Sequence, residues 1–249
     1  MTNHALALLL SLIIGISLGA LGGGGSIVTF PILVYVAGIA TGPAVGMSMA
    51  IVGSVSLLGS YLHSRRGNIA LRTAVYFAVA GMVGAYVGST GTHLISSSLL
   101  VFLFAMLMFM VGLTMLAGKL PAASREHSCS LARGLMVGFG VGLLTGFLGV
   151  GGGFLIVPAL VWFTGLDTKR AVGTSLAIIA ANSAAGLIGQ LRYTHWNWGL
   201  TAEFVGLSLM GMVMGVTIAT RARDRSLRRA FAVMVLAVAT AMVLQLLRR

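Results

Sequence analysis

Polar and charged positions fall in a few short clusters along this chain, and ten apolar runs lie between them. The runs are roughly 5–21, 26–40, 43–62, 70–92, 97–117, 134–149, 153–166, 171–191, 198–220 and 228–247. None shows the period of two that a membrane barrel strand requires. Lipid offers a non-barrel chain no partner for its backbone except the chain's own helices, so each run is predicted helical. The polar break at 119–133, KLPAASREHSCSLAR, divides the runs five and five. This gives a first membrane repeat over 1–118, a linker over 119–133 and a second repeat over 134–249. Together they form one integral unit, because the small-residue faces of each half need the other half to cover them.

The halves are two copies of one sequence. The stretch 21–33, LGGGGSIVTFPIL, returns 127 positions later as LGVGGGFLIVPAL over 148–160. At the same offset lie Gly15 and Gly142, Gly19 and Gly146, Pro31 and Pro158, Gly38 and Gly165, Ser48 and Ser175, and Gly59 and Gly186. With five elements per copy, an odd number, the second copy enters the membrane from the side opposite to the first. An all-α, polytopic membrane protein built from two inverted-topology repeats follows, and that architecture is typical of carriers that work by alternating access. The runs next to the glycines are short. At 1.5 Å per residue, 134–149 gives roughly 24 Å of helix and 154–166 about 20 Å, against about 30 Å of hydrocarbon. A hairpin with its glycine tip inside the bilayer is therefore expected there, and likewise over 5–40.

Composition agrees with that reading. Hydrophobic residues make up 58% and charged residues 8% of the 249 residues, and the mean hydropathy is +1.03. No soluble core absorbs so much apolar surface. Lys and Arg outnumber Asp and Glu by 16 to 4. The cations sit between apolar runs, as the positive-inside rule requires, and do not form a nucleic-acid face. Loops 63–72 (with Arg65, Arg66 and Arg72), 119–133 and 221–229 are expected in the cytoplasm, with the N-terminus outside. The same path puts Asp167, Lys169 and Arg170 inside and 192–198 outside. Arg248 and Arg249 run against it. The apolar run 5–21 has no basic leader and has a mid-chain counterpart, so it reads as a permanent element. Cys129 stands alone, which excludes a disulfide framework.

Candidate chemistry concentrates in two places. Helices opening after Gly24, Gly25 and Ser26, and after Gly151, Gly152 and Gly153, would turn unshielded N–H groups and positive helix ends toward a shared central region suited to a small anion. The alternative is that these glycines serve only close helix packing, as Gly84 with Gly88 and Gly211 with Gly215 are expected to do. Pro31 and Pro158 are the candidate hinges, each either a first helical residue or a kink. The third run of each half carries a polar stripe, Ser48, Ser56 and His63 in one copy and Ser175, Ser183 and Gln190 in the other, with Thr174 and Asn182 alongside. Neutral donors can bind an anion and release it; alternatively, such hydroxyls bond to their own helix or join helices. The predicted substrate site is thus Gly24, Gly25, Ser26, Gly151, Gly152, Gly153, Ser48, Ser56, Ser175, Asn182 and Ser183.

Nothing in the sequence supports catalysis. It has no HExxH and no paired carboxylates, and His4, His63, His93, His127 and His195 are scattered without ligand spacing. No metal ion or cofactor is implied. The partners expected are a small anionic substrate and the lipid bilayer, without nucleic acid, and no feature sets an oligomeric state. LGGGGSIVTFP and LGVGGGFLIVP, followed by AVGMS and AVGTS, resemble the sulfite exporter TauE/SafE family of membrane permeases. The resemblance implies a multi-pass carrier in a bacterial cell (inner) membrane for small sulfur-containing anions such as sulfite or sulfonates. It places the family motif on Gly22, Gly24, Gly25 and Pro31 and on Gly149, Gly151, Gly152, Gly153 and Pro158, with Ser26 in place of one glycine. A non-transporting membrane scaffold and a passive anion channel are the competing readings.

Overall fold

Each apolar run is a helix. The computed structural model describes residues 4–91, 97–116, 131–148, 153–191, 197–222 and 224–247. In order these residues form α1 (His4–Leu21), α2 (Gly24–Pro31), α3 (Thr41–Ser64), α4 (Leu71–Gly91), α5 (Ser97–Leu116), α6 (Leu131–Leu148), α7 (Gly153–Thr164), α8 (Thr168–Gln190), α9 (Trp198–Arg221) and α10 (Asp224–Leu247). Several helices start a few residues earlier than their apolar runs, because a charged residue ends an apolar run without ending a helix. Asp167 caps α8 by accepting a hydrogen bond from the Arg170 N–H at 3.4 Å, and Asn197 caps α9 through the Leu200 N–H at 3.1 Å. Helix α6 takes in residues 131–133 from the stretch expected to be linker; the rest of that stretch, 119–130, lies outside the described residues.

Among the described residues, α3, α4, α8 and α9 are each long and apolar enough to cross a membrane. Their outward faces carry Leu57, Val79, Val83, Met210, Val213 and Ile218, all exposed. On a soluble protein such faces would aggregate; on a membrane protein they face lipid.

The helices pair across the two copies. The most extensive contacts join α4 to α6 and α1 to α9, and the copy relation exchanges these two pairs. In the same way α4 on α8 corresponds to α9 on α3, while α3 on α8 and α5 on α10 each pair an element with its own counterpart. The directions establish the symmetry. Along α3 and α8, Gly186 faces Met49, Gly53 faces Ser183 and Gly59 faces Leu176, so one numbering rises as the other falls. Equivalent helices that run antiparallel are related by a two-fold axis perpendicular to them, which lies in the membrane plane. The chain is therefore a pair of inverted-topology repeats.

Backbone contact holds the α1–α9 and α4–α6 pairs together. A Cβ built on Gly19 would lie 2.6 Å from the Met212 carbonyl oxygen; one on Gly15 would collide with the Ser208 carbonyl. From the other side, Gly211 and Gly215 meet the carbonyls of Leu12 and Ile16. The second copy repeats all four contacts: Gly142 on Gly81, Gly146 on Ala85, Gly84 on Phe139 and Gly88 on Leu143. Lipid supplies no hydrophobic drive between helices, so this close approach, with its dispersion contacts, is what makes these pairs stick.

Helix α2 folds back along α1, with Gly25 against the Ile14 carbonyl and the Leu18 side chain. The turn between them needs Gly22, whose φ of 71° is left-handed. A Cβ there would lie 2.7 Å from Ser175 Oγ and 2.9 Å from Val172 Cα. Those residues are four to seven positions into α8, so the tip stops roughly 6–10 Å short of that helix end at 1.5 Å per residue. Pro31 and Pro158 both lie inside their helices and do not open them. Past Pro31 the helix widens into one π-type turn, Ile32–Val36, closed by the Ala37 N–H on the Ile32 carbonyl at 2.9 Å.

The contrast between packed and open glycines is directly measurable. Gly142→Ala would drive a methyl group into the Gly81 backbone and should cost about 1–3 kcal/mol, the usual range for overpacking. Nothing lies within 4 Å of a Cβ on Gly206, so Gly206→Ala should stabilise α9 by roughly 0.5–1 kcal/mol through helix propensity. Thermal unfolding of detergent-solubilised protein should shift down for the first variant and up for the second.

Candidate functional site

The two glycine tips touch. A Cβ built on Gly153, the first residue of α7, would lie 2.8 Å from Gly23 Cα, 3.0 Å from Ser26 Oγ and 2.6 Å from Ile179 Cδ1. The start of α7 thus packs against the start of α2, with α8 beside both. Gly149, Gly151 and Gly152 lie outside the described residues. Helix α2 opens at Gly24, two residues earlier than expected, with Gly23 as its N-cap and no side chain capping it. The backbone N–H groups that a helix start leaves unpaired are then those of Gly24, Gly25 and Ser26. Over them lies α10, whose Met234 Cε would be 2.5 Å from a Cβ on Gly24.

The stripe hydroxyls fall into two classes. Ser26 donates to the Gly23 carbonyl at 2.7 Å, Ser48 to Val45 at 2.8 Å and Ser175 to Val172 at 2.8 Å. These three return their proton to their own chain, the usual behaviour of a serine in a helix. Thr174 joins the copies, since its Oγ1 accepts the Ala70 N–H at 2.9 Å. Ser56, Asn182 and Ser183 differ. All are at most 2% exposed, and Ser56 Oγ, Ser183 Oγ and both amide atoms of Asn182 have no hydrogen-bond partner. Leaving such a group unmet costs about 1–3 kcal/mol each. Ser56 and Ser183 are also copy-related, so the unmet hydroxyls lie symmetrically on α3 and α8.

The surroundings explain why these positions are buried. Asn182 packs against Gly81 of α4, where a Cβ would lie 2.6 Å from its Oδ1. Ser183 sits at the crossing of α3 and α8, 3.0 Å between its Cβ and a Cβ built on Gly53. A groove of about 590 Å³ runs along that crossing, walled by alanines and by Met49, Leu57 and Leu187, with Ser54, Ser60 and Ser183 as its polar residues. Ser54 and Ser60 were not singled out from the sequence. On a helix with hydroxyls at 48, 54, 56 and 60, spacing alone does not tell which face borders open space.

The basic elements gather at one end of the molecule. Arg66 Nη1 donates to the Val216 carbonyl near the end of α9 at 3.1 Å, and Asn68 packs on Gly173 near the start of α8. Glu203 is exposed on α9, away from the tips. Among the described residues no three of His, Cys, Asp and Glu come together.

The match to known proteins covers nearly the whole chain. The family model described as Sulfite exporter TauE/SafE matches residues 7–242. A "Probable membrane transporter protein" of Xylella fastidiosa (strain Temecula1 / ATCC 700964) is 39% identical over 91% of this chain and 90% of its own length. YdhB of Bacillus subtilis (strain 168) is 27% identical over 84% of this chain and 88% of its own, and MJ0441 of Methanocaldococcus jannaschii is 29% identical over 86% and 83%. Both carry the name probable membrane transporter protein. No solved structure matches the chain. With paired glycine turns, inverted repeats and a family match from end to end, this chain belongs to the sulfite exporter TauE/SafE family.

Proposed function

We propose that this protein is a secondary transporter of a small anion, a sulfur oxyanion or organosulfonate such as sulfite, working by alternating access around a site between the glycine tips and the facing stripes of α3 and α8. Membership of the family and relatives named as probable membrane transporters support transport across a membrane. The observation that carries the site is the set of buried, unpartnered donors, Ser56, Asn182 and Ser183, on the antiparallel helices α3 and α8. Evolutionarily inexpensive replacements by alanine or leucine would remove that cost, so a ligand that visits the site is the natural partner for these groups. The N–H groups of Gly24, Gly25 and Ser26 add the positive end of α2. Hydroxyl and amide donors hold an anion less tightly than a buried cation would, as a carrier that must release its cargo requires.

Inverted repeats supply the motion. The two copies make equivalent contacts related by a two-fold axis, so in this reading they exchange conformations and open the site to either side in turn. The basic end, with Arg65, Arg66, Arg72, Lys169 and Arg170, faces the cytoplasm in this reading, and the N-terminus faces outward.

Asn182→Leu separates function from stability. It removes two unmet polar atoms while keeping the number and branching of side-chain heavy atoms, so thermal stability should hold or rise by about 1 kcal/mol. Anion flux should fall roughly tenfold to a hundredfold, the equivalent of one charge-assisted hydrogen bond at about 1.5–3 kcal/mol. Flux of labelled sulfite and methanesulfonate into proteoliposomes measures this. A folded wild-type protein that carries neither anion would end the proposal, and flux that never saturates with concentration would favour a channel.

A further inference from the structure

The groove along the α3–α8 crossing opens away from the glycine tips. On α8 the groove residues Ala177, Ala181 and Ala184 share one face, and Val172, Ser175 and Ile179, which meet the tips, share the opposite one. Antiparallel packing sets Met49 on Gly186 and Leu176 on Gly59, which brings Ser54 level with Ala181. These two are matched positions of the copies, as are Ala50 with Ala177 and Leu57 with Ala184. The two-fold axis therefore passes through the groove, at the level where an inverted repeat meets the middle of the bilayer.

Size and chemistry narrow the occupant. Along α3 the groove extends from Met49 to Ser60, roughly 16 Å at 1.5 Å per residue. Centred on the midplane, it ends about 7 Å short of either edge of about 30 Å of hydrocarbon, so no lipid headgroup reaches it. Among the described residues no charged side chain or amide lines it; Ser54 and Ser60 are its accessible polar residues, and Ser183 Oγ is buried. Its mouth lies where Ser54, Leu57 and Ala184 are exposed, on the face that Leu57 turns to lipid. A helix is about 10–12 Å across, so a segment of the groove's length would displace about 1,300 Å³ or more, over twice the 590 Å³ present. At roughly 30 Å³ for a group the size of water, the groove instead holds about twenty such groups, the scale of the methylenes in one lipid chain.

We propose that this groove is a binding site for one acyl chain of a membrane phospholipid, whose terminal part lies across the seam between the two copies. A chain on an ordinary helix face touches protein on one side only. In the groove α3 and α8 contact it from both sides, and the small residues Ala50, Gly53, Ala180 and Ala181 let it approach the backbone. Moving an apolar chain from lipid to protein gains nothing by itself, so these added dispersion contacts are what favour the seated chain over bulk lipid. The chain becomes a packing element of the α3–α8 crossing, and the assignment holds whatever the protein transports.

The test places the full chain in bilayers of a phosphatidylcholine with a photoreactive diazirine at the end of one acyl chain, then dissolves the bilayer in mild detergent before illumination. Ordinary boundary lipid leaves on dissolution, and a seated chain stays. Mass spectrometry should find one lipid per protein, attached within 49–60 or 177–187, with labelling there at least about tenfold above that of lipid-facing Val213 on α9. The same lipid with its diazirine beside the ester should leave the groove unlabelled. Ser54→Phe and Ala184→Phe, both at exposed positions, fill the groove and should each lower the label at least about tenfold. Circular dichroism checks that these variants fold, and Leu57→Ala, which widens the groove, should keep the label. Labelling no higher in the groove than at Val213, or undiminished in both phenylalanine variants, overturns the proposal. So does displacement of the label by methanesulfonate, which would make the groove part of the transport path, and so does a dimer mass without bound lipid, which would make the occupant a second copy.

Discussion

Direct backbone contact between helices of opposite copies is the constraint from which the rest of this molecule follows. Gly15 and Gly19 of α1 lie on carbonyls of α9, and Gly142 and Gly146 of α6 lie on residues 81 and 85 of α4. A membrane protein cannot draw on water to press such helices together; it needs shapes that fit. Glycine provides the fit at the cost of helix propensity, and it does so identically in both copies. Because each contact joins one copy to the other, neither half has a complete packing surface alone. The pseudo-symmetry is thus a requirement of stability before it is an instrument of transport.

That interlocked frame determines where unmet polar groups can exist. Helices α3 and α8 cross at the symmetry axis with their small residues together; Ser56 and Ser183 on these helices, and Asn182 where α8 meets Gly81 of α4, are buried without hydrogen-bond partners. Elsewhere in the described structure, Ser26, Ser48, Ser175 and Thr29 return their hydroxyl protons to their own helices. The difference between these groups is one of context: equal residue types in equal helices end up satisfied or unsatisfied according to what faces them. The short hairpin arms α2 and α7 then bring a helix start to the same central region, with Gly23 and Ser26 against Gly153.

Asymmetry between the copies carries as much information as their likeness. Ser26 stands where the second turn has Gly153, Asn182 stands opposite Val55, and His63 opposite Gln190. A pair of identical halves would bind and release alike on both faces. These substitutions at matched positions make the halves chemically unlike within a symmetric frame.

Much of this was legible in the sequence. The ten helices, the offset of 127, the odd number of elements per copy and the short hairpin arms all follow from apolar runs and repeated glycines, because lipid restricts a chain to helices and hydrophobic length to span. The polar stripe was legible too, since helical spacing assigns Ser56 and Ser183 to matching faces. What spacing does not contain is the identity of the neighbour. Whether Pro31 opened α2 or lay within it, whether a hydroxyl was consumed by its own backbone, and which serines bordered the α3–α8 groove are not contained in helical spacing. Gly153 against Gly23, Gly81 against Asn182 and His63 against Gly19 are decisions of the tertiary structure. Local sequence fixes the direction in which a side chain leaves its own helix; only the packed partner helix determines what it meets.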